Sequence, residues 1–330
     1  MVSTGRAETD GVAEQVDPQW VRGGWGYRVQ TQDEAFRAIM RIVSLAPGRQ
    51  YVWRGSTDRR HRVRSSLLRE LIVDEAEPLP DELLVRQNEL AILREARAWG
   101  LAPEVGPLAS DLHLLAHLQH HGLPTRLLDV THNPMTALWF ACEGEDDVGG
   151  VLLAFDVTGL PTYPASDPQQ QTGGLPSEPL AWGLRRALRL SALHAQPFLV
   201  RPTVPDARTA AQEALFLSGV VPRTGPGGGI DGLPIQLGRP PGKEKLTVLF
   251  GEGRRQAGRP TKLPFCALVV PPDLKATIRN HLTALNRRRS VLYPDVDGFR
   301  DAYRGSHVDL DLGAVRSVVS AHDDVDAGTR

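Results

Sequence analysis

Apolar residues recur at helical spacing in several stretches of the chain and gather into short continuous runs in others. Over Gln32 to Leu45, the residues Ala35, Phe36, Ile39, Ile42 and Val43 share one helical face, and Pro47-Gly48 ends the element. Gln50 to Trp53 reads as a strand that delivers Arg54 and Gly55 at its exit. Leu67 to Val73 and Glu82 to Trp99 read as helices, the second with Leu83, Leu84, Leu90, Leu93 and Ala96 on its buried side. Asp111 to Gln119 places Leu112, Leu115, Ala116 and Leu118 on one face, and Gly122 and Pro124 stop that helix. Asn133 and Pro134 read as N-cap and first-turn proline of another, which runs through the apolar stretch Met135 to Cys142. A strand is expected over Gly150 to Val157, a helix over Trp182 to His194, strands over Leu246 to Phe250 and Leu263 to Val270, and a last helix over Leu274 to Leu285.

Strands and helices interleave without strict βαβ alternation. The expected class is therefore α+β, a mixed sheet flanked by several helices, with a long irregular Pro/Gly-rich insertion. Residues 1–19 lack aromatics and apolar periodicity and read as a disordered leader. One α+β domain is expected over 20–304, interrupted by loops at 161–179 and 222–241, and 305–330 reads as a C-terminal extension. The second loop, with Gly225-Pro226-Gly227-Gly228-Gly229, has the composition of a mobile lid or an insertion.

Composition narrows the classes. A chain of 330 residues with 41% hydrophobic residues can bury a substantial core, and a net charge of -1 supplies no global field toward nucleic acid or an anionic membrane. The two cysteines, Cys142 and Cys266, lie in no metal-ligand pattern and point to a reducing compartment, so the cytoplasm is the expected location. No apolar run approaches a membrane span, and no membrane partner is expected. The basic runs Arg59 to Arg64 and Arg287 to Arg289 can touch nucleic-acid phosphates; without interleaved aromatics, a solvated or internally paired surface is the favoured reading. Walker A, GxGxxG, HExxH and GxSxG patterns are all missing.

The densest chemistry lies in His120 to Asn133, which sets polar groups on a short connection between two helix-like flanks. His121 can act as a general acid or base, or simply cap a helix. Thr125, Arg126 and Asp129 supply a donor, a cation and an acceptor, or else turn and cap groups. Arg54 at a strand exit can make a bidentate contact with a phosphate, with Gly55 leaving backbone room beside it; it can equally pair with a carboxylate such as Asp129. Gln212 and Glu213 are a polar pair able to stabilise an oxocarbenium-like ribose, or a solvated helical face. Asp295 and Asp297 are spaced for a divalent cation, but Pro-Asp-x-Asp-Gly also suits a chain reversal, and that reading is favoured over a metal.

Four pieces carry a family resemblance: Tyr51-Val52-Trp53-Arg54-Gly55, the block His121 to Ala141 with its HGxPTRLLD core, the segment Ala207 to Phe216, and Tyr293 to Gly298. Together they resemble the bacterial FRG-domain family, named for an aromatic-Arg-Gly motif, over about Tyr51 to Gly298. Trp53 stands where the family usually has Phe or Tyr, and Ala214 where it usually has Gly, which counts against close backbone packing or ligand approach near Gln212. The resemblance implies ADP-ribosyltransferase-like or glycohydrolase-like chemistry in a defence or toxin context, with NAD as a dinucleotide substrate and no firmly required cofactor. Under that reading His121, Asp129, Gln212 and Glu213 are the catalytic candidates, and Arg54, Gly55, Thr125, Arg126 and Asn133 the binding ones. Transferases with an Arg-led site commonly place a Gln or Glu two residues before the catalytic Glu, a spacing that Gln212-Glu213-Ala214 lacks. Two alternatives stay open: a nucleic-acid binder or metal-dependent nuclease, which requires contiguous positive potential, and a sensor or adaptor whose motif residues form a buried polar network with no cavity.

Overall fold

The computed structural model describes residues 21–73, 78–101, 110–144, 146–164, 182–202, 206–222, 229–251 and 262–304. The expected leader, the 305–330 extension, residues 165–179 of the first loop and residues 223–228 of the second lie outside the described residues.

The fold is α+β. Its strands β1 (Gly26–Arg28), β2 (Tyr51–Ser56), β3 (Leu128–Thr131), β4 (Gly150–Asp156), β5 (Thr162–Pro164), β6 (Phe198–Arg201), β7 (Ala214–Ser218) and β8 (Phe265–Val270) form one mixed sheet in the order β1-β8-β4-β2-β3-β7-β6-β5. The outer pairs β1–β8 and β5–β6 are parallel and the inner pairs antiparallel. Around it pack α1 (Gln32–Val43), α2 (Ser66–Leu71), α3 (Glu82–Ala98), α4 (Asp111–His120), α5 (Pro134–Cys142), α6 (Trp182–His194), α7 (Ala207–Ala211), α8 (Gly242–Phe250), α9 (Pro272–Ala284), α10 (Arg289–Leu292) and α11 (Val296–Arg304).

The middle of the sheet is continuous on one side and split on the other. β2 pairs with β4 through six registers from Tyr51↔Asp156 to Ser56↔Val151, whereas it meets β3 only at Trp53↔Thr131. Beyond that point the two strands part. Because paired residues share a face, Trp53, Thr131, Asp129, Ala214 and Phe216 all project to one side of the sheet.

Helix α5 lies on the same side, against β2 and β4. Its approach is so close that a Cβ on Gly55 would sit 1.9 Å from Ala137 O, and one on Gly150 would sit 1.8 Å from Ala141 O. Two glycines facing a helix with Ala137 and Ala141 on its near side let backbone meet backbone. The helix starts as its sequence dictates: Asn133 Oδ1 accepts from the amides of Met135 (2.9 Å) and Thr136 (3.4 Å), and Pro134 occupies the first turn. Helix α4 is bounded as clearly. Ser110 caps its start, and at its end Gly122 takes φ +79° while Leu123 N–H reaches back to Leu118 O and Gly122 N–H to Gln119 O, a Schellman closure.

Several expectations change. The connection expected to hold His121, Thr125, Arg126 and Asp129 contains strand β3, so Asp129 is part of the sheet. Leu246 to Phe250, expected as a strand, belongs to helix α8, with Leu246, Leu249 and Phe250 buried at helical spacing. Gln212 and Glu213 form the tight turn between α7 and β7, with Glu213 at φ +50°, so neither sits on a helical face. The described part of the 222–241 loop packs Ile230, Leu233 and Ile235 into the main core and lines no part of the cleft described below. No helix among the described residues is long and apolar enough to cross a membrane.

Candidate functional site

A cleft of about 610 Å³ opens where β2 and β3 part, within the range of small-molecule sites. Arg54 and Asp129 lie at its floor, with Trp53, Gly55 and Thr131 beside them. Gln119, His120 and His121 enter from the end of α4, Phe140 from α5, Arg208 from α7 and Gln212 from the turn after it, and Tyr293 and Asp295 from the segment after α10.

Arg54 spans the gap left by the missing strand pairing. Its Nη1 donates to the main-chain carbonyl of Asp129 at 2.7 Å and lies 3.8 Å from Asp129 Oδ2. Burial pushes the guanidinium below its ordinary value, Asp129 opposes that shift, and Arg69 adds to it; an arginine so placed stays charged. Asp129 also accepts from Gln119 Nε2 at 2.9 Å, and its side chain remains 56% exposed.

His121 is the C-cap of α4, exposed at the cleft rim, and its ring meets those of His117 and His120 edge to face at 4.6 and 5.2 Å. His120 Nδ1 lies 3.3 Å from Asp206 Oδ2, which ties α4 to the start of α7. On the opposite wall, Tyr293 is held between two guanidiniums, Arg208 at 4.4 Å and Arg289 at 5.0 Å from its ring centre. Arg289 pairs in turn with Glu143. Burial, and then the Glu143 charge, raise the Tyr293 phenol above its ordinary value, against the two arginines. Gln212 braces this wall: its Nε2 donates to Leu292 O at 2.9 Å, and its carbonyl accepts from Thr131 Oγ1 at 2.7 Å.

The structure thus brings Arg54, Gly55, His121, Asp129 and Gln212 to one cleft and keeps four other candidates out of its lining. Arg126 is buried, with Nε 2.6 Å from Glu89 Oε1 and Nη1 3.0 Å from Glu82 Oε1. Burial pushes this guanidinium down, but Glu89 and Glu82 outweigh it and the net shift is upward. Thr125 is fully buried beneath Gln119. Asn133 caps α5 and donates from Nδ2 to Glu213 Oε1 at 2.7 Å, and the same oxygen accepts from Arg287 Nη2 at 3.0 Å. Asp295 caps α11, taking the Gly298 amide at 2.6 Å, and Asp297 pairs with Arg300 at 2.7 Å, so both carboxylates serve the chain reversal. Among the described residues no group of three or more His, Cys, Asp or Glu converges to hold a metal ion.

Sequence reasoning passed over Gln119 and Phe140 as site residues and set Arg208 aside as structural. Gln119 is the last interior polar residue of α4 before the His-His-Gly stop. Arg208 lies inside a recognised segment, but without the fold nothing indicated that it faces Tyr293.

The basic runs are largely consumed internally. Arg60 pairs with Asp58 at 2.6 Å and Arg62 with Asp231 at 3.4 Å, Arg59 and Arg64 are buried, and Arg287 and Arg289 are engaged as described.

This geometry sits largely within a recognised module. Residues 49–149 match the model of the FRG domain, so the chain is an FRG-domain-containing protein. The matched stretch carries β2, β3, α4 and α5, and therefore the split in the sheet, Arg54, Asp129 and the glycine-backed helix. No curated protein and no solved structure gives a significant match to the chain.

Proposed function

We propose that the cleft binds a dinucleotide of the NAD type and cleaves its nicotinamide–ribose bond, passing the ADP-ribose to water or to an acceptor nucleophile. The observation that carries this reading is the pairing of the Arg54 cation with the exposed Asp129 carboxylate on the floor of a cleft of about 610 Å³ with Phe140 and Tyr293 on its walls. Their 3.8 Å contact is loose enough for Arg54 to turn to a diphosphate, for which a guanidinium is geometrically suited. Phe140, half-buried on one wall, offers apolar surface to a ring.

In the reaction the C–N glycosidic bond breaks and its electron pair stays on the nicotinamide nitrogen, which loses its formal charge. Positive charge develops on the ribose, where the Asp129 carboxylate stabilises it and accepts from a ribose hydroxyl. Water or another nucleophile then forms the new bond to the anomeric carbon and gives up a proton to His121 at the rim. Gln212 orients the ribose side of the cleft. Glu213 is not retained as a catalytic group, because its carboxylate is held by Asn133 and Arg287. Thr125, Arg126 and Asn133 act on the site through its scaffold, and Gly55 through the seating of α5.

The alternatives draw less support. A nucleic-acid groove needs uncommitted cations, and those of the two basic runs are largely spent within the chain. A pure polar-network adaptor needs no cleft. Thermal unfolding with and without NAD tests the proposal: a midpoint that rises with NAD concentration, and does not in Arg54→Ala, is expected. An unchanged wild-type midpoint at saturating NAD would count against it.

A further inference from the structure

A chain of hydrogen bonds runs from the interior to the cleft carboxylate. Thr125 Oγ1 accepts from the Leu127 amide at 3.1 Å and lies 2.6 Å from Gln119 Oε1. Ser66 Oγ accepts from the Thr125 amide at 3.0 Å and shares its one proton between Thr125 O at 3.2 Å and Gln119 Oε1 at 3.4 Å, so it anchors Thr125 first. The Thr125 hydroxyl donating to that amide oxygen fixes which way the amide faces, because the flipped amide would set its NH2 against a committed donor and its carbonyl oxygen against Asp129 Oδ2, acceptor against acceptor. The orientation so fixed turns Gln119 Nε2 toward Asp129 Oδ2 at 2.9 Å, the oxygen that Arg54 approaches at 3.8 Å. Both of these contacts fall on Oδ2. Oδ1 has no hydrogen bond among the described residues, and the side chain carrying it is 56% exposed in the cleft.

We infer that Gln119 is a positioning residue for Asp129: held by Thr125, which Ser66 anchors, its amide turns Oδ2 inward and presents Oδ1 to the substrate as a hydroxyl acceptor. The relay explains half-buried Ser66 and fully buried Thr125, neither of which itself lines the cleft. It also gives Thr125 a consequence for chemistry without contact with substrate. The kinetic side of this inference rests on the proposed cleavage of NAD; the relay itself does not.

The test uses the full chain and two readouts. In nuclear magnetic resonance of the Gln119 side-chain amide, one proton is expected to be shifted downfield and slow to exchange in the wild type and in Thr125→Ser, and to lose both properties in Asp129→Ala. In nicotinamide release from NAD, Gln119→Leu is expected to lower kcat about 10-fold or more with KM little changed, as a misplaced catalytic group does. Thr125→Val should follow Gln119→Leu, and Thr125→Ser should restore the rate. Thermal unfolding of each variant separates misfolding from misplacement, and Gln119→Leu, at a half-buried position, carries the test if Thr125→Val does not fold. An amide signal indifferent to Asp129→Ala, or a wild-type kcat in Gln119→Leu, overturns the inference. A wild type that releases no nicotinamide refutes the proposed reaction instead, and the amide signal then decides the relay alone.

Discussion

The glycine of the aromatic-Arg-Gly motif has two possible reasons to exist, room for a ligand or room for a helix, and Gly55→Ala separates them. A Cβ at this position would lie 1.9 Å from Ala137 O, 2.6 Å from Ala141 N and 2.7 Å from Phe140 Cβ. The two nearest are backbone atoms of α5, which no rotamer change can move aside. Overpacking in a well-packed core costs about 1–3 kcal/mol when side chains can give way. Here the whole helix must shift off β2, so the cost is expected at about 3 kcal/mol or more, a large fraction of the stability of an ordinary domain. Gly23→Ala is the matched control: its Cβ would meet nothing within 4 Å, and its backbone is not left-handed. Urea unfolding followed by tryptophan fluorescence reads both variants, with Trp139 on α5 and Trp53 on β2 as reporters. Equal stability of Gly55→Ala and wild type, within about 1 kcal/mol, would refute the helix-seating account and return Gly55 to the ligand.

Two further expectations follow from the ion pairs. Arg126→Leu leaves Glu89 buried with Arg86 as its one remaining cation among the described residues and is expected to cost about 3–5 kcal/mol in urea unfolding, while the double variant Arg126→Leu/Glu89→Leu should recover much of that; a double variant no better than the single would contradict the pairing. Asp146 sits below its ordinary value because Arg279 hydrogen-bonds both its oxygens, at 2.6 and 2.7 Å. Its folded value is therefore lower than its unfolded one, so its contribution is complete above about pH 4 and is lost as pH falls through the folded value. Asp146→Asn should flatten the stability curve below about pH 4 and nowhere else, and an unchanged slope there would contradict the assignment.

Much of the fold was legible where local signals agree. Asn133-Pro134 and the Gly122 stop mark the start of α5 and the end of α4 closely, because caps and left-handed closures are written in a few adjacent residues. The FRG-like block likewise marked the stretch that holds the split sheet. Leu246 to Phe250 went astray since a five-residue apolar run fits a strand and a buried helix turn equally well. Strand β3 was hidden for the opposite reason: Leu128-Asp129-Val130-Thr131 is four residues long, and only its registers with β7 and Trp53 reveal it. The buried side of α3 was expected to include Leu83 and Leu84, which are exposed, while Glu89 is fully buried. That inversion depends on Arg126, a partner 37 residues away in sequence. At the site, Arg54, His121, Asp129 and Gln212 were legible as residue types in recognised segments. Gln119 and Arg208 were not, since their importance lies in what the fold sets beside them.

The most direct test of the central claim is nicotinamide release from NAD by the wild type, Asp129→Asn and Glu213→Gln, compared at equal folded concentration. The account predicts release by the wild type, its loss in Asp129→Asn, and near-normal release in Glu213→Gln, whose carboxylate lies outside the cleft lining. Release that survives Asp129→Asn and vanishes in Glu213→Gln would contradict the assignment of the catalytic carboxylate, and no release from the wild type would contradict the proposed reaction.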